Sequence, residues 1–129
     1  MSSYLLDTHV LLWAAAGSSC LGDQSQQTLG DPANELWFSV ATVWEIVIKS
    51  GLGRSDFRVD PSAVRDRALR AGYQELPVRG SHVLGVAALP AIHADPFDRI
   101  LLAQARAERF TLLTADRKIL EYGLGTAQV

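Results

Sequence analysis

Asp7 follows the apolar run Tyr4-Leu5-Leu6, and Asp116 comes just past the apolar pair Leu112-Leu113. Aspartates at the ends of buried strands stand where open α/β sheets gather their ligands, outside the carboxyl edge. Asp98 sits in the first turn of the helix that opens at Asp95-Pro96, and Glu45 interrupts the apolar run Val43-Trp44-Glu45-Ile46-Val47. A carboxylate inside so apolar a helix needs a partner or a cation to offset its desolvation. Several carboxylates brought to one crevice repel one another, and they either take up protons or recruit a hard divalent cation that prefers oxygen ligands. Magnesium or manganese held in this way can activate water and steady the charge that develops on a phosphodiester. Such chemistry needs no nucleophilic serine or cysteine, and the chain carries no signature of one.

Each of these positions also has an ordinary explanation. Aspartate is a favoured helix cap, which suits Asp7 and Asp116. Asp98 follows Asp95 by three residues in the manner of a capping box, and acidic groups are welcome in a first helical turn. Glu45 can pair with Lys49 one turn later, an arrangement worth roughly 0.2–0.5 kcal/mol on an exposed helix. That pairing does not explain why the glutamate breaks an apolar face. His93, alone in a loop, reads as structural or solvent-facing rather than as a ligand. Asp95 is explained by its place before Pro96, as a cap. Trp13, Trp37 and Trp44 lie among apolar neighbours and are assigned to the core.

The elements that must position these groups are short apolar strands alternating with helices, the pattern of a three-layer α/β domain around a mostly parallel sheet. Strands are expected at Tyr4 to Leu6, Leu36 to Phe38, Glu75 to Val78 and Phe110 to Leu113. Asp7-Thr8 opens a first helix, and a second is expected from about Gln24 to Leu29. Ser39 caps a helix whose apolar residues run around nearly its whole circumference, so this helix should be well buried. Pro61 starts another, whose Arg65, Arg67 and Arg70 read as a solvated face, and a further helix runs from about Ser81 to Ala88. The helix at Asp95-Pro96 has both a cap and a first-position proline. A turn and a short helix follow Ala115, Ser55 to Asp60 reads as a loop or short strand, and Gly123 to Val129 leaves a last strand open.

Length and composition limit what these elements can build. A chain of 129 residues with 48% hydrophobic content can form a core as one domain over residues 1–129. Its apolar runs are too short and too interrupted to span a membrane, and it opens without a basic leader, so a cytoplasmic setting is expected. Cys20 is the only cysteine, which excludes an internal disulfide and leaves oxygen and histidine as metal ligands. The net charge of -2 excludes a broadly basic nucleic-acid surface. Any phosphate contacts must come from local cations such as Lys49, Arg54, Arg79, Arg99, Arg117 and Lys118.

Four runs, taken in order, resemble the PIN-domain proteins of the VapC toxin type. They are Leu5-Leu6-Asp7-Thr8-His9-Val10-Leu11-Leu12-Trp13, Val43-Trp44-Glu45-Ile46, Asp95-Pro96-Phe97-Asp98-Arg99-Ile100-Leu101-Leu102-Ala103-Gln104-Ala105 and Leu113-Thr114-Ala115-Asp116. The resemblance implies a three-layer α/β/α PIN-like fold with a short, mostly parallel sheet. It implies a magnesium or manganese site held by Asp7, Glu45, Asp98 and Asp116, and the endoribonuclease activity of a type II toxin–antitoxin system. It further implies an RNA substrate, a VapB-type antitoxin partner and pairing as a homodimer. Thr8 and Thr114 fall where the family often places a hydroxyl near the metal or its waters, and Arg99 and Arg117 are candidates for substrate phosphate. Two alternatives remain at this level: a non-catalytic PIN-like module that binds RNA or a partner, and a hydrolase that uses Asp7 as a phosphate-accepting nucleophile. The second is disfavoured because His9 occupies the place where such enzymes usually carry another aspartate.

Overall fold

In a computed structural model, which describes residues 2–52, 59–123 and 125–129, five strands form one sheet in the order β3-β2-β1-β4-β5, all pairs parallel. The strands are β1 (Ser3–Leu6), β2 (Glu35–Ser39), β3 (Gln74–Leu76), β4 (Thr111–Thr114) and β5 (Thr126–Gln128). The helices are α1 (Thr8–Ala16), α2 (Asp23–Gly30), α3 (Val40–Gly51), α4 (Pro61–Arg70), α5 (Gly80–Val86), α6 (Pro96–Glu108) and α7 (Arg117–Leu120). Parallel neighbours need crossovers, and these helices supply them. The expected α/β class and its helical layers are present, and the open question at the carboxyl end resolves as β5 beside β4. Residues 53–58 fall outside the described residues, and with them most of the Ser55 to Asp60 stretch and Arg54.

Adjacent residues of the central strands separate the two helical layers. Leu5 and Leu112 enter a core with Leu101, Leu102, Ala105 and Ile119. Their neighbours Leu6 and Leu113 enter a second core with Val10, Leu11, Leu36, Phe38 and Ala68. The pleat sends successive side chains to opposite faces, so a strand covered on both faces must be apolar at consecutive positions.

Chain order reverses between β1 and β4. From β1 the chain builds outward through β2 and β3, then returns to place β4 on the other side of β1. The register sets Leu6 beside Leu113, so the residues that follow, Asp7 and Thr114, emerge side by side at the carboxyl edge. Asp7 N–H also donates to the Leu113 carbonyl at 3.1 Å, which carries the pairing one residue past the strand. This reversal is where an open α/β sheet forms its binding crevice.

The helix after Ser39 departs from its expected burial. Ala41, Thr42, Glu45 and Ile46 are buried, but Val40, Val47 and Ile48 are exposed and Trp44 is 61% exposed. Assigning Trp44 to the core was therefore incorrect, while Trp13 and Trp37 are partly buried against the two cores. One face of α3 packs against α1, α4 and α6, and the opposite face has no element of this chain to cover it among the described residues. The arginine face of α4 is also more structured than expected. Arg65 pairs with Glu75 at 2.6 Å, and Arg67 donates to the Ala15 carbonyl at 2.9 Å.

A buried polar chain fixes where α3 starts relative to α6. Ser39 Oγ accepts from the Ala41 N–H, capping α3, and donates to Gln104 Oε1 at 2.6 Å. His82, fully buried, accepts the Arg79 N–H at Nδ1, so its Nε2–H points to Glu108 Oε2 at 2.9 Å. Buried polar groups left without partners are costly, so a satisfied network of this kind favours one arrangement of α3, α5 and α6.

Candidate metal centre

At the carboxyl edge, Asp7, Glu45, Asp98 and Asp116 line a single crevice of about 340 Å³ together with Thr8, His9, Trp13, Lys49, His93 and Asp95. Four elements deliver the four carboxylates. Asp7 follows β1, Glu45 projects from α3, Asp98 from the first turn of α6, and Asp116 follows β4.

The capping explanations and the crevice are compatible, because a carboxylate has two oxygens. Asp7 Oδ1 accepts the Val10 N–H at 2.8 Å and caps α1, while Oδ2 accepts Thr114 Oγ1–H at 2.5 Å. Asp116 Oδ1 caps α7 by accepting the Lys118 N–H at 2.8 Å, and its Oδ2 lies 3.4 Å from His93 Nε2. At α6 the cap is Asp95, whose Oδ1 accepts from Phe97 N–H and Asp98 N–H. The Asp95 N–H donates to His93 Nδ1 at 3.4 Å, so Asp98 does not close the reciprocal bond of a capping box. Its Oδ2 instead lies 2.8 Å from His93 Nε2.

Glu45 is 3% exposed, and both of its oxygens are engaged. Oε1 accepts Thr8 Oγ1–H at 2.6 Å, and Oε2 meets Lys49 Nζ at 2.5 Å. The pairing expected from the i,i+4 spacing is present, and it lies within the crevice wall.

The two threonines expected near the metal or its waters contact the carboxylates themselves. The Thr8 hydroxyl is buried and aims Glu45; the Thr114 hydroxyl is buried, aims Asp7 and accepts the Asp116 N–H at 3.0 Å. Both orient carboxylates. The expectation for Arg99 is corrected. Its guanidinium donates to the carbonyls of Pro90, His93 and Val86 and to the Tyr122 hydroxyl, which fastens the loop before α6 and leaves it outside the crevice lining. Arg117 is exposed at the start of α7 and does not line the crevice. His93, read as an ordinary loop residue, lies inside it. The usable signal was its position two residues before the cap of α6, which brings its ring back over that helix's first turn.

The electrostatics record an excess of negative charge. Burial pushes the Asp98 carboxyl up to about 7, and the neighbouring charges of Asp95, Glu45 and Asp7 add to the rise against the opposing pull of His93. Burial raises Asp7 as well; the Thr114 and Val10 hydrogen bonds and His9 counter it, while Asp116 adds to it. His93 Nε2 is buried without a well-oriented hydrogen-bond partner despite its nearness to two carboxylates. One ligand atom each from His93, Asp98 and Asp116 lies within 4.8 Å of the others. Clustered acidic oxygens that favour protonation, beside an orphaned polar atom, fit a hard divalent cation. With Nδ1 facing the Asp95 N–H at 3.4 Å, the His93 ring turns Nε2 into the cluster between Asp98 and Asp116.

Fold and crevice together define an all-parallel α/β domain with an acidic centre at its topological switch point. The pattern of the PIN domain matches residues 4–124, nearly the whole chain, and the chain belongs to the PIN domain family. No protein of curated function matches it. Its fold is shared with chains in several solved structures. VapBC2 from Rickettsia felis bound to a promoter DNA fragment aligns with a TM-score of 0.71 at 15% identity, covering 98% of this chain and 97% of that one. DNA-bound VapBC from Salmonella typhimurium gives 0.68 at 14% identity, over 100% and 98%. A toxin–antitoxin complex from Klebsiella pneumoniae gives 0.65 at 21% identity, over 96% and 95%. No helix of the described residues is long and apolar enough to cross a membrane.

Proposed function

We propose that this chain is the toxin of a type II toxin–antitoxin pair, a magnesium- or manganese-dependent endoribonuclease that hydrolyses RNA phosphodiester bonds in the cytoplasm. In this reading it acts as a single PIN domain over residues 1–129 and is silenced by a VapB-type antitoxin. The observation that carries the reading is the meeting of four carboxylates, remote in sequence, in one crevice where burial and neighbouring negative charge raise the pKa of Asp98 and Asp7. Asp7, Glu45, Asp98 and Asp116 would hold the cation, with Thr8 and Thr114 fixing Glu45 and Asp7. The bound cation would polarise water and offset charge on the scissile phosphate. His93 Nε2 lies close to both Asp98 and Asp116, and Lys49 pairs with Glu45.

The structurally similar chains from Rickettsia and Salmonella come from VapBC assemblies, which supports the toxin–antitoxin assignment and the partner class. A non-catalytic binding module is disfavoured, because concentrated negative charge without a cation repels the phosphates that such a module would need to hold. The test is a cleavage assay with purified protein and structured RNA. Cutting is expected with magnesium or manganese and not with EDTA. Undiminished cutting in EDTA rejects the metal-dependent mechanism, and tight RNA binding without cutting under any condition favours the binding module.

The same reading includes a homodimer, and the uncovered face of α3 supports it. Trp44, with its edge against Phe97 at 5.2 Å, lines an apolar groove with Val40, Val78, Val83 and Ile100, and Val47, Leu52 and Leu84 extend the surface. Trp44, Val47, Leu52, Val83 and Leu84 are each at least half exposed, an unusual concentration of large apolar side chains at a surface. Two copies meeting through this face about a two-fold axis would bury it on both sides. Trp44→Glu is expected to give a folded monomer in light scattering, since the side chain is mostly exposed within one chain. A dimer that persists unchanged would place the interface elsewhere.

A further inference from the structure

Among the described residues, the two arginines offered to substrate phosphate, Arg99 and Arg117, stand outside the crevice lining. Thr8 and Thr114 hold carboxylates, Arg99 fastens a loop, and Arg117 is not part of the wall. Among the described residues, the basic side chains of the lining are Lys49, already on Glu45, and His9 and His93. At so acidic a wall, attraction that does not come from phosphate contacts would add to what a bound cation supplies.

The first helix offers it. His9 and Trp13 are one turn apart on α1, so they share a face, and both line the crevice next to Asp7. Their rings lie 6.1 Å apart between centroids at 50° to each other. Trp13 is partly buried: it packs against the core of Leu6, Val10 and Leu11 while also lining the crevice, which anchors the indole and leaves it accessible from the open side. His9 is exposed beside it. A packed aromatic at the rim of a polar cleft suits a planar, uncharged group.

We propose that His9 and Trp13 form a base-stacking platform that receives an unpaired nucleobase next to the scissile phosphate. The inference rests on the ribonuclease reading and makes it more specific. A base can stack on a side chain only after leaving its own helical stack, so the platform selects single-stranded or loop RNA over continuous duplex. Because stacking supplies affinity without counterion release, binding should also depend less steeply on salt than that of a basic groove.

The test measures anisotropy with three labelled RNAs: a random-sequence single strand, the same strand with abasic sugars, and a blunt duplex, with calcium in place of magnesium to slow turnover. The wild type should prefer the base-bearing single strand to both others. Trp13→Ala should weaken that binding about tenfold, the scale of one aromatic–base stack, and Trp13→Phe should restore most of it. On the abasic strand, wild type and Trp13→Ala should bind alike. Because Trp13 is partly buried, His9→Ala provides a second variant at an exposed position, with a smaller loss in the same direction. The platform is overturned if Trp13→Ala and His9→Ala bind the base-bearing strand like wild type, or if they lose equally on the abasic strand. Should that happen while the wild type still cuts RNA with metal, the ribonuclease reading stands and only the platform falls; a wild type that binds and cuts no RNA removes both.

Discussion

Replacing Asp98 with asparagine is expected to reduce metal-dependent RNA cleavage by about a hundred- to a thousandfold, the range seen when one preorganised electrostatic group is lost from an active centre. The substitution keeps the shape of the side chain and removes the charge. Asp95, not Asp98, provides the cap of α6, so the helix start remains intact. The metal-free variant should therefore fold, and its melting temperature should equal or exceed that of the wild type at pH 8, because a strongly disfavoured charge has gone. Activity and stability move in opposite directions. A structural role for Asp98 would lower both, so thermal unfolding measured beside cleavage separates the two. Cleavage within about threefold of wild type would remove Asp98 from the mechanism.

The second large effect concerns pH. The folded-state pKa of Asp98 is raised from the ordinary carboxylate value of 3.8 to about 7, and Asp7 is shifted in the same direction. A raised acid binds protons more tightly in the folded protein than in the unfolded one. Its contribution to stability is complete below the unfolded pKa and is lost as pH rises through the folded value. Metal-free protein should therefore lose stability between about pH 4 and pH 7. Allowing for solvent screening at a partly exposed carboxyl, the loss is about 1–2 kcal/mol, or about 3–8 °C in melting temperature. Saturating magnesium or manganese binds the deprotonated carboxylates and should flatten or reverse the slope. Asp98→Asn should flatten the metal-free slope by itself. Differential scanning calorimetry across this range, with chelator and with metal, checks both. Metal-free protein that gains stability toward pH 7 would contradict the charge excess.

Fold and site were unequally legible in the sequence. The strands around Leu5 and Leu112 could be read because a parallel strand covered on both faces must be apolar at consecutive positions, and the helix at Asp95-Pro96 because cap and proline coincide. Placing Asp7 and Asp116 at strand ends needed only local pattern. The burial of α3 was misread because an apolar circumference reports that a helix is covered, without saying whether its own chain or another copy covers it. Trp44 is the clearest case. The tasks of Thr8 and Thr114 could not be read from spacing, because each depends on a partner many residues away that the folded sheet brings close. His93 was missed in part for the same reason: its closeness to Asp98 is local to the start of α6, but its closeness to Asp116 exists only once β4 lies beside β1. Capping and crevice-lining were weighed as rivals, whereas Asp7 and Asp116 do one with each oxygen.

The most direct measurement is manganese binding by anomalous diffraction from crystals of wild-type protein and of Asp98→Asn. Wild type should show a manganese peak enclosed by Asp7, Glu45, Asp98 and Asp116, and the variant should show it weakened or lost. Manganese bound away from these side chains, or equally strong in both proteins, would contradict the account.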